Sequence, residues 1–228
     1  MSSEVKKWWD ENRILWYERA SLYSSFQDKL TDLIIKQIPL NESILELGTG
    51  LGYQGENLFK KGYDIVSYDI DEKAIECAIK RSNLPIFKIK DYREIGESRD
   101  AVLSVFFGRI TEDDNLDCLL SLAKKHLVYV QSCHRGQSHD LRKKGDNTER
   151  TIKYLEDRHV SFSYREYKIP FPQPFVSLND AKLFISSFYG EEKLDSYLEY
   201  VRETDREDYP LELKNDKEFI IFDIKKEA

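Results

Sequence analysis

Apolar residues follow two different periods along this chain, and the order of the periods predicts the fold. Short, continuous apolar runs are typical of buried parallel strands, and they occur at residues 43–46, 63–69, 85–89, 101–107 and 126–131. Between these runs, apolar residues three or four positions apart predict helices at 54–61, 72–81 and 115–125. Strands that alternate with helices indicate an α/β protein with a doubly wound, mostly parallel sheet.

The segments at both ends of the chain depart from this alternation. The first 40 residues predict two helices before the first strand, with apolar positions at helical spacing over residues 5–16 and 26–38. The C-terminal third predicts a helix, two strands and, between those strands, about 45 residues with two further helices. These elements fall at 148–158 (helix), 160–169 and 218–224 (strands), and 178–188 and 191–203 (helices). A connection of this length between two strands usually has a function.

The turn after the first strand carries the strongest chemical signal. The strand ends in Glu46, glycines follow at positions 48, 50 and 52, and Asp69 ends the next strand 17 residues after Gly52. A strand, a glycine turn, a helix and a strand that ends in a carboxylate form a unit that binds a nucleoside. The glycines let the backbone approach the ligand, and the second carboxylate can accept hydrogen bonds from the ribose hydroxyls.

The glycines fit two kinds of cofactor. Gly50, Gly52 and Gly55 match the dinucleotide fingerprint, and the acid that follows has the expected spacing. This register puts Glu46 and Gly48 inside the strand, where a glycine weakens it. The other register starts the turn at Gly48, so that Glu46 lies at the carboxyl end of the strand and can hold an ammonium group. S-adenosylmethionine has such a group, so we favour this register; NAD stays as the alternative.

Three segments resemble the class I S-adenosylmethionine-dependent methyltransferases. Residues 46–52 are similar to their first motif, 68–75 to their ribose-binding strand end and 87–92 to their third strand, whose acid meets the adenine amino group. The resemblance covers about residues 40–135 and implies S-adenosyl-L-methionine as cofactor. The cofactor-binding residues that it implies are Glu46, Gly48, Thr49, Gly50, Gly52, Asp69, Ile70, Asp91 and Tyr92. For Asp91, a helix cap is the alternative.

The length of the chain, the pattern of elements and the resemblance together indicate the domain organisation. We expect one domain over residues 1–228 with a seven-stranded sheet whose last strand is antiparallel. Its parts are an N-terminal helical lid (1–40), a Rossmann-like core (41–169), a helical cap inserted before the last strand (170–216) and that strand (217–228). Aromatic residues are the candidates for the lid or the substrate pocket: Trp16, Tyr17, Tyr23, Phe106, Phe107, Phe171 and Phe175. Simple packing of helices on the sheet, or a dimer contact, is the alternative for the lid and the cap.

Two residues after strand ends are candidates for catalysis. Arg109, after the fourth strand, can bind a carboxylate or phosphate of the acceptor in bidentate geometry; as a surface arginine it needs no such role. His134, after the fifth strand, is a general-base candidate because its unperturbed pKa is near neutral. A structural histidine at a strand end is the alternative. Cys133 and His134 are neighbours and point in opposite directions on a strand, so we expect no metal site.

Composition and charge indicate which classes of partner to expect. The chain has 42 acidic and 35 basic residues and a net charge of −7, which argues against nucleic acid. Five basic residues between Arg135 and Arg150 fit a solvated loop as well as a phosphate-rich substrate. No apolar run approaches the roughly 20 residues that span a bilayer, and the first residues do not resemble a signal peptide. Three scattered cysteines do not form a disulfide framework, so we expect a protein of the reducing cytoplasm. The sequence does not indicate whether the protein is a monomer or a homo-oligomer.

These observations predict a methyltransferase that acts on a small-molecule acceptor in a lidded pocket. A methyltransferase for a protein or RNA is the nearest alternative. Many relatives that methylate amino groups of nucleic acids or glutamine carry an Asn/Asp-Pro-Pro-aromatic motif after the fourth strand, and residues 106–109 lack it. A non-catalytic protein that binds S-adenosylmethionine is a third hypothesis. The sequence pattern does not choose among nitrogen, oxygen, sulfur and carbon as the methylated atom.

Overall fold

The computed structural model describes residues 8–133 and 147–226. The chain divides into two compact units. Unit 1 is built from residues within Met1–Trp9, Asp28–Tyr167 and Glu218–Ala228, and unit 2 from Asp10–Gln27 and Lys168–Lys217. The predicted cap, residues 170–216, therefore lies in unit 2, together with most of the first predicted helix.

The elements alternate along the chain much as the apolar pattern indicates. The helices in the described residues are α1 Glu11–Tyr23, α2 Phe26–Ile34, α3 Tyr53–Lys60, α4 Glu72–Ser82, α5 Asn115–Leu122, α6 Asn147–Asp157, α7 Leu178–Tyr189 and α8 Leu194–Leu198. The strands are β1 Ile44–Leu47, β2 Ile65–Asp69, β3 Phe87–Ile89, β4 Arg99–Val105, β5 Ala123–Ser132, β6 Phe162–Pro170, β7 Gln173–Phe175, β8 Val201–Glu203, β9 Leu211–Leu213 and β10 Asp216–Lys225. Short 3-10 turns occupy Tyr92–Glu94 and Glu191–Lys193.

Unit 1 contains a seven-stranded sheet with the order β3-β2-β1-β4-β5-β10-β6 in the described part of the chain. Strands β1 to β5 pair in parallel, and β10 pairs antiparallel with β5. These pairings confirm the predicted α/β fold with its mostly parallel sheet and antiparallel last strand. All four residues of β1 are buried, because helices cover both faces of a parallel sheet. On one face, Leu47 and Val102 of the sheet pack with Leu116 of α5 and Leu155 of α6.

Unit 2 has its own hydrophobic core and its own small sheet. The sheet is antiparallel with the order β7-β9-β8, and its core contains Trp16, Phe175, Phe184 and Leu213. Pro174 lies on the edge strand β7, the position where proline removes no ladder hydrogen bond.

Several predicted element boundaries are wrong, and three of them have a clear physical cause. The predicted helix over 191–203 ends at Leu198, and Val201–Glu203 forms strand β8, because pairing with β9 overrides the local periodicity. The first helix begins at Glu11 rather than near residue 5, since Asp10 caps it by accepting a hydrogen bond from the Arg13 amide at 2.9 Å. The helix predicted over 115–125 ends at Leu122, and β5 starts at once.

Helix α4 shows how local chemistry sets the other boundaries. Asp71 Oδ1 accepts hydrogen bonds from the amides of Lys73 and Ala74 at 3.1 and 3.3 Å, so the helix begins there. Asn83 ends it with a φ of 55°, a left-handed conformation that asparagine tolerates. In the described residues, no helix is long and apolar enough to cross a bilayer.

Candidate functional site

The glycine turn follows directly on the buried strand β1. The strand ends at Leu47, so the turn begins at Gly48, as in the register favoured from the sequence. Gly48, Gly50 and Gly52 have φ values of 67°, 53° and 74°, which residues with a Cβ rarely adopt. Helix α3 begins immediately after Gly52. The turn therefore presents backbone amides at the carboxyl edge of the sheet, where ligands bind in open α/β sheets.

Glu46 lies beneath this turn. Its side chain is almost completely buried, and its Oε2 accepts hydrogen bonds from Thr49 Oγ1 at 2.7 Å and Ser67 Oγ at 2.6 Å. Burial raises the pKa of Glu46, and the two hydroxyl donors oppose that rise. A Cβ at Gly55 would lie 2.7 Å from Oε2, so the carboxylate also contacts the first turns of α3. Glu46 thus fixes the turn through Thr49; its contact with an ammonium group stays a prediction.

Ser67 belongs to this arrangement and was missed from the sequence. It pairs with Glu46 across β1 and β2, so both side chains lie on the same face of the sheet. A buried serine in an otherwise apolar strand is the signal that points to such a partner.

Asp69 connects the end of β2 with the glycine turn. Its Oδ2 accepts a hydrogen bond from the Gly50 amide at 2.7 Å, and its Oδ1 accepts one from the Asp71 amide at 2.9 Å. Burial raises the pKa of Asp69, and the amide donors oppose this effect. Ile70 follows it and is 43% exposed. The structure therefore brings a carboxylate, a glycine turn and an accessible apolar side chain together, as a nucleoside site requires.

Asp91 and Tyr92 follow β3 at the same edge of the sheet. Asp91 Oδ1 accepts a hydrogen bond from the Arg93 amide at 3.0 Å and so caps the 3-10 turn. The capping role that the sequence left open is thus present, and an adenine contact stays a prediction. The Tyr92 hydroxyl donates to Asn115 Oδ1 at 2.7 Å, and its ring meets Phe107 edge-on at 5.5 Å. Burial raises the pKa of Tyr92, so the hydroxyl stays protonated.

The turn after β4 is strained. Phe106 has a φ of 54°, a rare conformation for a bulky residue, and Gly108 has a φ of 62°. The chain is held there by a hydrogen bond from Ser104 Oγ to the Phe107 carbonyl at 2.9 Å. Such strain costs about 1–3 kcal/mol and concentrates at functional sites. As a consequence, the two phenylalanines diverge: Phe107 contacts the glycine turn, and Phe106 packs edge-on against Phe219 of β10.

The aromatic ring of Phe107 lies directly on Gly48. A Cβ at Gly48 would be only 2.0 Å from Phe107 Cγ, so this contact requires glycine. Phe107 was predicted as a pocket residue, and the structure places it beside the proposed cofactor-binding turn.

Arg109 follows the strained turn after β4 and lines a cleft of about 140 Å³ in unit 1. Its guanidinium forms an ion pair with Glu112 at 2.7 Å, and both side chains are about half exposed.

His134, the predicted general base, lies outside the described residues, and so do His139 and the basic residues at 135 and 142–144. In residues 8–133 and 147–226, no three His, Cys, Asp or Glu side chains are grouped so as to hold a metal ion.

Several solved structures with a similar fold are methyltransferases. Magnesium protoporphyrin IX methyltransferase from Synechocystis PCC 6803 with bound SAH is 16% identical, with a TM-score of 0.53 over 89% of this chain and 83% of that one. The protein has the class I methyltransferase fold. A putative RNA methyltransferase from Pyrococcus horikoshii is 12% identical, with a TM-score of 0.55 over 89% of this chain and 84% of that one.

A third structural neighbour is matched over its whole length. This putative methyltransferase from Bacillus halodurans C-125 is 16% identical, with a TM-score of 0.53 over 90% of this chain and 100% of that one. No protein-family model and no curated protein sequence matches the chain. Identities this low show the methyltransferase fold alone, and the neighbours differ in the substrates that their names give.

Two of the predicted lid or pocket residues are core residues of unit 2. Trp16 is buried, donates from Nε1 to Asp180 at 2.9 Å and meets Phe184 edge-on at 5.2 Å. Phe175 is fully buried and packs on Phe184 at 5.4 Å. Packing within unit 2 accounts for both residues.

The remaining predicted lid residues lie nearer the surface of unit 2. The rings of Tyr17 and Phe171 meet at 5.6 Å, and the Tyr23 hydroxyl donates to Glu212 at 2.9 Å. Lys217 Nζ lies 6.0 Å from the centre of the Phe171 ring, and burial lowers the pKa of this lysine to about 8. Their function as a lid of the methyltransferase fold stays a prediction.

Trp9 is the aromatic residue that the sequence analysis missed. It precedes α1 and belongs to unit 1, and its indole ring would lie 3.0 Å from a Cβ at Gly50. The helical period assigned Trp9 to a helix that in fact starts two residues later. The Asp10 cap was the signal that separates Trp9 from the helix. Trp9 is therefore a further residue at the glycine turn.

Proposed function

We propose that the protein is an S-adenosylmethionine-dependent methyltransferase that transfers a methyl group in line from the sulfonium to a small-molecule acceptor. One observation carries the proposal: a turn of three glycines with positive φ, hydrogen-bonded to Asp69 through the Gly50 amide, in a methyltransferase fold. The neighbour crystallised with SAH supports the choice of cofactor.

The residues at the turn fit this cofactor. Asp69 ends β2 with two carboxylate oxygens that can accept hydrogen bonds from a ribose diol. Ile70 and Tyr92 stand on neighbouring strand ends and can flank an adenine ring. The backbone at Gly48 and Gly50 carries no Cβ and is approached closely by aromatic side chains. The cofactor-binding set that we propose is Glu46, Gly48, Thr49, Gly50, Gly52, Asp69, Ile70, Asp91 and Tyr92.

The bound cofactor supplies an activated methyl group, so the protein has to position the acceptor and exclude water. Phe107 and Trp9 bring apolar surface to the turn and remove water from it. The role that we propose for Arg109 is to hold an anionic part of the acceptor. His134 keeps its predicted role as a general base for an acidic acceptor.

The net charge of −7 favours a small molecule over RNA as the acceptor. The RNA methyltransferase among the structural neighbours keeps a macromolecular acceptor as the second candidate. A non-catalytic S-adenosylmethionine-binding protein is the third candidate, and it predicts binding without methyl transfer.

Calorimetric titration of the full chain with S-adenosylhomocysteine tests the cofactor. We expect micromolar binding by the wild type and a loss of about 10- to 100-fold in Asp69→Asn, because hydrogen bonds to a charged group contribute about 1.5–3 kcal/mol. Asp64→Asn is the matched control, since Asp64 is exposed just before the opposite end of the same strand. NAD serves as the second ligand.

The outcomes separate the hypotheses. Binding of NAD but not of S-adenosylhomocysteine rejects the methyltransferase proposal. Labelled methyl transfer into small molecules, into RNA or protein, or into none of them then distinguishes the three remaining candidates.

A further inference from the structure

The cleft beside the strained β4 turn has an unusual charge for this protein. It lies at the carboxyl ends of β4 and β5 and at the start of α6, and its walls include Phe106, Arg109, Tyr129, Gln131, Arg150 and Thr151. The described residues that line it include two arginines and no aspartate or glutamate. In a chain with 42 acidic and 35 basic residues, this local excess of positive charge points to an anionic ligand.

Both arginines are available to such a ligand. Arg109 is paired with Glu112, and both partners are about half exposed. Such surface ion pairs contribute only about 0–1 kcal/mol, so an anion in the cleft can replace Glu112. Arg150 is exposed and forms no ion pair within residues 8–133 and 147–226. It lies in the first turn of α6, where the helix dipole adds positive potential.

The walls of the cleft are held in place by hydrogen bonds. The Tyr129 hydroxyl donates to the Gly108 carbonyl at 3.0 Å and fixes the turn that carries Arg109. Burial raises the pKa of Tyr129 to about 12, so this donor stays protonated at physiological pH. On the opposite wall, Thr151 Oγ1 donates to Gln131 Oε1 at 2.8 Å and joins α6 to β5. The two arginines are therefore carried by fixed backbone.

The cleft has room for a small anionic group. Its volume of about 140 Å³ is close to that of an engineered cavity that accepts benzene, at about 150 Å³. A carboxylate or phosphate with a few attached carbon atoms fits this space.

The cleft is also next to the glycine turn. Phe106 lines the cleft, and the adjacent Phe107 contacts Gly48. Strands β1 and β4 are direct neighbours, and neighbouring strands lie about 4.8 Å apart. A small molecule anchored in the cleft can therefore reach the turn.

We propose that this cleft, through Arg109 and Arg150, binds a carboxylate or phosphate group of the methyl acceptor. The assignment to the acceptor rests on the proposed methyltransferase function; the binding of an anion does not. The substrate is thus a small anionic molecule whose methylated atom lies a few bonds from the charged group.

Binding of simple anions tests the site in the full chain. The probes are phenyl phosphate and benzoate, with benzyl alcohol as the neutral probe, each titrated and followed by NMR. We expect millimolar binding of at least one anion and a loss of about 10-fold or more in Arg150→Gln and in Arg109→Gln. Lys153→Gln, which removes the same charge from the exposed side of α6 outside the cleft, is expected to bind like the wild type. Whichever of phenyl phosphate and benzoate binds with higher affinity indicates whether the cleft prefers a phosphate or a carboxylate.

The proposal is overturned if the two arginine variants bind the anions as well as Lys153→Gln does, or if benzyl alcohol binds equally well. S-adenosylhomocysteine binding separates this result from the cofactor proposal, since we expect it to be unchanged in both arginine variants. If the wild type fails to bind S-adenosylhomocysteine, the methyltransferase proposal falls together with the assignment to the acceptor. The anion titration still decides whether the cleft is an anion site.

Discussion

Gly52→Ala is expected to destabilise the protein by about 2–5 kcal/mol. The φ of 74° at Gly52 costs alanine about 1–2 kcal/mol. The new Cβ would lie 2.6 Å from Phe87 Cε1 and 2.7 Å from Ala78 Cβ, both of which are buried. Overpacking of this kind costs a further 1–3 kcal/mol, roughly. Since domains are stable by only about 5–15 kcal/mol, we also expect the glycine turn to lose its shape and S-adenosylhomocysteine to bind at least 10-fold more weakly.

Two other glycines separate the backbone cost from the steric cost. Gly62 has a φ of 91°, and a Cβ added to it would meet no atom within 4 Å, so Gly62→Ala carries the backbone cost alone. Gly96 has neither constraint, and Gly96→Ala is expected to be close to neutral. Thermal unfolding of the three variants should rank Gly52→Ala lowest in Tm, by roughly 5–20 °C below the wild type. Equal Tm values for Gly52→Ala and Gly62→Ala would show that Phe87 and Ala78 do not confine the turn.

The parts of the fold that were predicted from the sequence depend on local patterns. The unit from β1 to β2 was predicted because its strands are continuous apolar runs and its turn needs glycines at fixed spacing. The start of α4 follows from one side chain, Asp71, which caps its own helix. These signals lie within a few residues of the elements that they specify, so periodicity and turn chemistry are sufficient to read them.

Features made by distant segments were not predicted. Strands β7, β8 and β9 have three residues each, too few for a period, and they exist because they pair with one another. Arg150 was correctly placed in the helix predicted over 148–158, but the sequence did not show that this helix begins beside a cleft that also contains Arg109. Contacts of this kind depend on the tertiary arrangement, which no single segment encodes.

A buried histidine gives the clearest example of such distant contacts. His126 lies near the start of β5, at the edge of the sheet opposite the glycine turn, and is 3% exposed. Its Nδ1 lies 2.6 Å from Asp223 Oδ1, and its Nε2 lies 2.9 Å from Glu42 Oε2. Burial by itself lowers the pKa of His126, but the hydrogen bonds to both carboxylates outweigh it, so the pKa is raised. The cation and two acids thus connect three strand ends.

The stability that this arrangement contributes should depend on pH with a defined sign. The folded pKa of His126 is above the unfolded value of about 6.5, so its contribution is complete below about pH 6.5 and is lost as pH rises through the folded pKa. The pKa of Asp223 is lowered, because His126 and Lys225 outweigh its burial. Its contribution is complete above about pH 4 and is lost as pH falls through the folded pKa. The window of greatest stabilisation is therefore about pH 4 to 6.5.

His126→Gln is expected to remove about 1.5–3 kcal/mol of unfolding free energy at pH 6, because two buried carboxylates lose their hydrogen bonds to a charged partner and keep only the half-exposed Lys125 and Lys225. Urea denaturation at several values from pH 6 to 9 should show the difference between wild type and variant shrinking as pH rises. Lys217, whose pKa is lowered to about 8, changes stability in the opposite direction, but it is present in both proteins and cancels in the difference. His159→Asn is the control, since His159 is exposed and its φ of 56° suits asparagine. A pH-independent difference for His126→Gln would mean that His126 is neutral in the folded protein.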